Sequence, residues 1–456
     1  MTIDFSDVAD LVTLSTDDTY PECTTAGTTM TCTADETYVW GGDAGSSLFD
    51  LLIKPKSGAA LGSSGKLAFR AEGDGYAAAT HESTVRLAEG VDLAAGPEVE
   101  VTAKPGEAFT APLTVRNAGR TVVNGAVAIF YNDWAIRSEK KFSNCRYVQD
   151  RLRSCHFDMP LNPGENYTAS MPYRLGEDTY APGFDVGEVN WMTVAEFDDY
   201  VTYLGSLGIS LGDFGTGSTL ALTAVPIAKA RMAQVDTDPD NNWSHLAVRV
   251  TGKNGADLAA LGARVAGGAG ETITAAVGFR NLGPATIDAT RSGSSITRID
   301  VEIPAGTTAV GVPDDCAPMK DGEIDWEKVE SEDRTGAANY RCHAGSFIAV
   351  DETETVEFSL LINEVIADAT GLVRINAECA CEGFADDTNP ANDTAQLIVN
   401  PTKGSEDGDD GEGGAGGGLP VTGATTGIIA GAGVLLLAAG MIGFVLARRR
   451  RMRFVA

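Results

Sequence analysis

"GVDLAAGPEVEVTAKPGEAFTAPLTVRNAGRTVVNGAVAIFY" runs from Gly90 to Tyr131, and "GADLAALGARVAGGAGETITAAVGFRNLGPATIDA" runs from Gly255 to Ala289. The two stretches share one plan. Each opens Gly-x-Asp-Leu-Ala-Ala, turns at a glycine (Gly106 or Gly270), and runs an alternating segment into Arg-Asn-x-Gly, at Arg116-Asn117 or Arg280-Asn281. Leu113 and Val115, like Val277 and Phe279, fall on every second residue, the period of a strand with one face buried. Asn and Gly tolerate positive φ, so the asparagines are expected to serve the turn that follows.

The plan continues outward from there. "NCRYVQDRLRSCHFDMPLNPGENYTASMPYRL", from Asn144, reads as a cysteine hairpin, a Pro163-Gly164 turn and a further strand. The segment from Asp314 to Ile362 keeps that order with a longer excursion between Cys316 and Cys342. Both copies close on an acidic, asparagine-rich turn and a last strand, "DTDPDNNWSHLAVRV" from Asp236 and "DDTNPANDTAQLIV" from Asp386. Short strands punctuated by Gly, Pro and Asn predict a β-sandwich in each copy, and the fold class is all-β. Over residues 91–402 the chain resembles the bacterial immunoglobulin-like repeats of actinobacterial wall proteins.

Residues 1–90 read as a third, partial immunoglobulin-like copy, with a strand, a cysteine hairpin and closing strands but no opening unit ahead of Ile3. The expectation is a chain that begins inside a domain, its first strands lying upstream. The division is then 1–90, 91–250, 251–402, a Gly/acidic linker over 403–418, and a terminal segment over 419–456. Within 91–250, "VNWMTVAEFDDYVTYLGSLG" places Val194, Phe197, Val201 and Leu204 at helical spacing. This helix is expected to plug the core of its domain; the competing reading has it line a binding face near Trp191.

The formal net charge is −30, and the five arginines after Ala447 contribute +5 of it, so the remainder carries −35. Such a surface repels nucleic acid and anionic lipid, which excludes nucleic-acid binding as a function class. Eight cysteines suit an oxidising compartment. Sequence leaves their connectivity open, with ~105 pairings for eight cysteines. Neighbour pairing is favoured, because Cys23/Cys32, Cys145/Cys155 and Cys316/Cys342 each sit within one predicted strand-turn-strand unit. Cys379 and Cys381 are so close that they pair only in a strained loop.

The C-terminal end has three parts in a fixed order. "GSEDGDDGEGGAGGG", from Gly404, has no periodicity and too few apolar residues to fold, and fits a flexible spacer. Leu419-Pro420-Val421-Thr422-Gly423 follows. Then 21 uncharged residues run from Gly427 to Ala447, ahead of the arginine cluster. At ~1.5 Å per residue a helix of that length spans a bilayer core, so one C-terminal transmembrane helix is expected, its arginines held on the cytoplasmic side. Together these parts resemble the cell-wall sorting signal of Gram-positive surface proteins. The resemblance implies a sortase that cuts between Thr422 and Gly423 and joins Thr422 to peptidoglycan. It also implies an N-terminal signal peptide, and the first residues, with early acids and no apolar core, do not provide one. On this reading the chain is a wall-anchored protein that acts as a spacer or binds other surface or extracellular ligands.

Other constellations are weaker. Asp236, Asp238 and Asp240 alternate like calcium ligands but lack the distal Glu of an EF-hand, and a similar string recurs from Asp386; a turn ahead of the last strand is the preferred reading. His156 and His343 each follow a cysteine, yet no paired spacing of zinc ligands appears. No nucleophile elbow, His-Glu-x-x-His string or phosphate loop is present, so no catalytic residue and no cofactor is assigned. Two alternatives remain open, an extracellular enzyme with an unrecognised site and an uncleaved single-pass membrane protein.

Overall fold

A computed structural model describes residues 1–16, 22–33, 49–73, 77–223, 234–376 and 386–402. The linker over 403–418, the motif Leu419–Gly423, the apolar run 427–447, and Cys379 and Cys381 lie outside those residues. No helix among the described residues is long and apolar enough to cross a membrane.

The described chain is built almost wholly of strands. The first seven are β1 (Thr2–Asp4), β2 (Val12–Thr16), β3 (Glu22–Ala26), β4 (Thr29–Thr33), β5 (Leu51–Pro55), β6 (Ser64–Ala71) and β7 (Ala79–Arg86), and a short β8 (Glu89–Val91) follows. Next come β9 (Leu93–Ala95), β10 (Val99–Ala103), β11 (Ala108–Asn117), β12 (Val123–Asn132), β13 (Ile136–Ser138), β14 (Cys145–Val148), β15 (Arg151–Leu161), β16 (Asn166–Leu175) and β17 (Ala181–Thr193). Helix α1 (Val194–Ser206) then leads to β18 (Asp213–Phe214), β19 (Gln234–Asp236) and β20 (Trp243–Asn254). The last group is β21 (Leu258–Leu261), β22 (Ala263–Val265), β23 (Thr272–Asn281), β24 (Ile287–Asp288), β25 (Arg298–Glu302), β26 (Thr307–Gly311), β27 (Cys316–Lys320) and β28 (Glu323–Ile324), a short α2 (Trp326–Glu330), then β29 (Asn339–His343), β30 (Phe347–Ile348), β31 (Thr353–Ile362), β32 (Ala369–Ile375) and β33 (Thr394–Val399).

Three hydrophobic clusters organise these strands, one drawn from Ile3 to Leu87, one from Val91 to Val250 and one from Ala256 to Val399. In the second unit a seven-stranded sheet, β10-β20-β17-β12-β15-β14-β18, faces a four-stranded sheet, β13-β16-β11-β9, across one core. The third unit repeats both orders, as β22-β33-β32-β25-β29-β27-β28 and β26-β31-β23-β21, except that the seventh strand comes from elsewhere in the chain: β18 follows α1, whereas β28 directly follows β27. It repeats the parallel pairing of an early strand with the last one as well, Val99 beside Leu246 and Ala263 beside Leu397. The first unit keeps β7-β6-β1-β4-β3 in one sheet and β2-β5 in the other. Among the described residues no strand there takes the places of β9, β10 and β11.

The asparagine at the end of β11 and of β23 acts differently from the expectation. Neither Asn117 nor Asn281 has positive φ, and both are fully buried. Their side chains stitch the corner instead. Asn117 Nδ2 donates to the carbonyls of Thr121 and Leu161 at 2.7 and 2.8 Å, and Asn281 Nδ2 to those of Ala285 and Ile348 at 2.8 and 3.3 Å. Each Oδ1 accepts from the N–H two residues on. A buried amide is tolerated because nearly every donor and acceptor it carries is used.

Sheet faces account for the helix. Strand β12 is apolar on both sides: Ala126, Ala128 and Phe130 enter the main core, while Val127 and Ile129 form a separate cluster with Phe197 of α1. A strand covered on both faces reads as a continuous apolar run. Thr193 caps α1 in a reciprocal box with Glu196, which satisfies two N–H groups at the N-terminal end of the helix. Phe197 and Leu204 are buried as expected, but Val201 is 38 % exposed. Tyr200 takes the inward place, its hydroxyl 3.1 Å from that of Tyr131. In the third unit the matching strand β25 turns Asp300 outward, where Arg341 grips it with two hydrogen bonds of 2.8 and 3.0 Å.

Candidate functional site

Three of the four expected cysteine pairs are disulfides: Cys23–Cys32, Cys145–Cys155 and Cys316–Cys342. Each joins residues directly opposite one another on paired strands, at the same place in the sheet order of its unit. Such bonds belong to an oxidising, extracytoplasmic setting.

The acidic turn before each last strand is a structural clasp. Asp236 Oδ2 accepts from the Leu93 N–H at 2.7 Å, and Oδ1 from the Asp238 N–H at 2.8 Å. Asp387 makes the same two bonds in the third unit, to Leu258 and Asn389, both at 2.7 Å. Thr237 and Thr388 each pair backbone and hydroxyl with one carbonyl, that of Val91 or Ala256. Asn241 and Asn392 reach Asp92 and Asp257. The Asp-Leu of each repeat's opening is therefore tied to the Asp-Thr of its close. Burial pushes the Asp236 carboxyl up to about 7. Its oxygens are spent on backbone donors, Asp238 holds the Asn241 amide, and among the described residues no three His, Cys, Asp or Glu side chains form a group able to hold a metal ion.

Trp191 does not line a face. It is fully buried against Phe157, and its indole N–H donates to the Thr114 carbonyl at 3.1 Å. His156 lies edge-on to Phe197, its ring centroid 4.7 Å away, and burial pushes its pKa below the ordinary value. His81, His245 and His343 are exposed on separate strands.

The densest polar constellation lies where the second unit meets the third, and sequence reading missed it. Arg291, just beyond β24, crosses to the second unit. Its Nε meets Asp133 Oδ1 at 2.9 Å, its Nη1 meets Glu188 Oε1 at 2.7 Å, and its Nη2 reaches the Val186 carbonyl at 3.1 Å. Asp133 also accepts from the Val186 N–H at 2.6 Å. In return, Asp288 of the third unit accepts from the Trp134 N–H at 3.1 Å. Thr286 gives its N–H to the Asp178 carbonyl and its hydroxyl to the Asp178 carboxylate, at 2.8 and 2.7 Å. The Trp134 ring meets Phe347 edge-on at 5.0 Å, with the Arg137 guanidinium 4.4 Å over its face. A signal for this joint was present only as isolated charges in two loops, since its partners lie more than a hundred residues apart.

Comparison with known proteins adds little. No family model matches the chain, and no curated protein matches it. Among solved structures, a chain from the crystal structure of a complex between a CaDoc0917 variant and CaCohA2 is 14 % identical, covering 32 % of this chain and 99 % of that one, with a TM-score of 0.17. The secreted serine protease VesC from Vibrio cholerae is 10 % identical, covering 60 % of this chain and 47 % of that one, again with a TM-score of 0.17. Likenesses this slight support no argument about fold or activity.

Proposed function

We propose that this chain is a surface protein of a Gram-positive cell wall, cut by a sortase between Thr422 and Gly423 and joined through Thr422 to peptidoglycan. The observation that carries this reading is the order of its C-terminal parts: a glycine-acidic spacer, Leu-Pro-Val-Thr-Gly, 21 uncharged residues and an arginine cluster. Pro420 fixes its own φ and biases Leu419 toward extended geometry, so the peptide enters a groove at reduced entropic cost. The enzyme's thiolate attacks the Thr422 carbonyl, Gly423 leaves as an amine, and an amine of the wall peptide displaces the thiol. The apolar segment holds the motif at the membrane face until that transfer is made.

The units ahead of it suit a non-enzymatic role, as immunoglobulin-like modules that project from the wall and present a binding surface or act as spacers. Repeated sheet orders, disulfides across opposed strands and a strongly acidic composition support this. Replacing Thr422 by Ala tests the reading by fractionation. Wild-type protein is expected in the material that muramidase alone releases, and T422A in the detergent-soluble or shed material. Undiminished wall linkage of T422A contradicts the proposal.

A further inference from the structure

The joint between the second and third units brings together more carboxylates than one guanidinium can neutralise. Asp133 and Glu188 share Arg291, and Asp288 accepts from Trp134 and Thr290. Asp185, on β17, makes no side-chain hydrogen bond among the described residues. It borders a cavity of about 130 Å³ between the units, whose walls include Trp134, Tyr180, Phe184 and Asp288. The charges around it come from every neighbouring element: Asp133 from the β12–β13 loop, Asp178 from the β16–β17 loop, Glu188 from β17 itself, Asp288 from β24 and Arg291 from beyond it. Arg137 and Arg151 lie over the Trp134 ring, and His245 of β20 stands 3.6 Å from Glu188. Docking the third unit brings both Asp288 and Arg291 to a face that carries Asp133 and Asp185; Arg291 bonds Asp133 and Glu188, and Asp185 gains no hydrogen bond from it among the described residues.

We propose that this joint is a proton-operated clamp: one proton held by the Asp185 cluster locks the second and third units together in mildly acidic surroundings, and its loss at alkaline pH loosens them. The cavity gives solvent a route to the carboxyl. Burial, then the neighbouring Asp133 and Asp288, raise Asp185 to about 7 against the smaller opposing pull of Arg291, and burial raises Asp133 as well. A carboxyl whose pKa is raised on docking favours the docked state when protonated, so its contribution is present at low pH and is lost as pH rises through about 7. A group titrating there changes the docking equilibrium by up to about ten-fold between pH 8 and pH 6.

Hydrogen exchange on the full chain reads this directly. The Thr286 and Trp134 N–H groups bond across the joint, and their protection is compared with that of core amides of the same two units at each pH. That ratio cancels the intrinsic pH dependence of exchange and the effect of raised carboxyls elsewhere, such as Asp236 and Asp393. Wild-type joint protection should rise by up to about ten-fold from pH 8 to pH 6. Asp185→Asn should keep it high and flat, and His245→Gln should leave the wild-type profile unchanged. A flat wild-type profile overturns the proposal even if no variant folds. So does a pH dependence that survives in D185N or disappears in H245Q.

Discussion

Asp236 and Asp387 show what a single residue does in this fold. Each is a carboxylate that accepts two backbone N–H groups and ties the last turn of its unit to the first strand. Removing such an acceptor leaves partly buried donors without a partner, at a cost of about 3 kcal/mol. Asp236→Ala and Asp387→Ala should each lower unfolding free energy by about that amount in denaturant titrations. Added calcium should shift neither midpoint, because the oxygens that would bind it already hold the backbone. The strings Asp-Thr-Asp-Pro-Asp-Asn and Asp-Thr-Asn-Pro-Ala-Asn read correctly as turns, because Pro and Asn declare a turn locally. Their partners at Leu93 and Leu258 could not be read, since a contact across more than a hundred residues leaves no periodicity.

Among the elements, the cysteine pairs Cys23/Cys32 and Cys145/Cys155 were the most legible, because two strands joined by a short turn carry their pairing in their spacing; Cys316 and Cys342 pair across a longer excursion that holds β28 and α2. Their environments differ. Cys145, Cys155, Cys316 and Cys342 are buried within strands, whereas Cys23 is half-exposed on β3 at the edge of its sheet. Reductant reaches an exposed sulfur first, so graded reduction with alkylation and mass spectrometry should open Cys23–Cys32 before the other two. Equal rates at all three would show that local opening rather than accessibility controls them. Helix α1 was legible from its spacing, but its inward residue was not: Val201 and Tyr200 are neighbours on the helix, and the hydroxyl of Tyr131 on β12 favours the tyrosine. Trp191 stayed ambiguous for a related reason. A large ring beside a helix reads as surface or core alike until the strand that carries it is placed.

At the scale of the whole molecule, the repeat of Gly-x-Asp-Leu-Ala-Ala and Arg-Asn-x-Gly reads as two copies of one plan, and the sheet orders of the second and third units match in all but the short edge strands β18 and β28. Among the described residues the first unit shows fewer strands, and its sequence lacks that opening motif. The joint was invisible, since Arg291, Asp133 and Trp134 belong to no repeat and gain meaning only once two units meet. On the proposed reading, disulfide-bonded β units of strongly negative net charge project from the wall as a stalk. The central claim is that this stalk ends in a covalent bond to the wall. The mass of the C-terminal peptide from muramidase-solubilised protein tests it most directly. The account predicts a chain that stops at Thr422 and carries a fragment of wall peptide; a peptide running on through Gly423 into the apolar segment would contradict it.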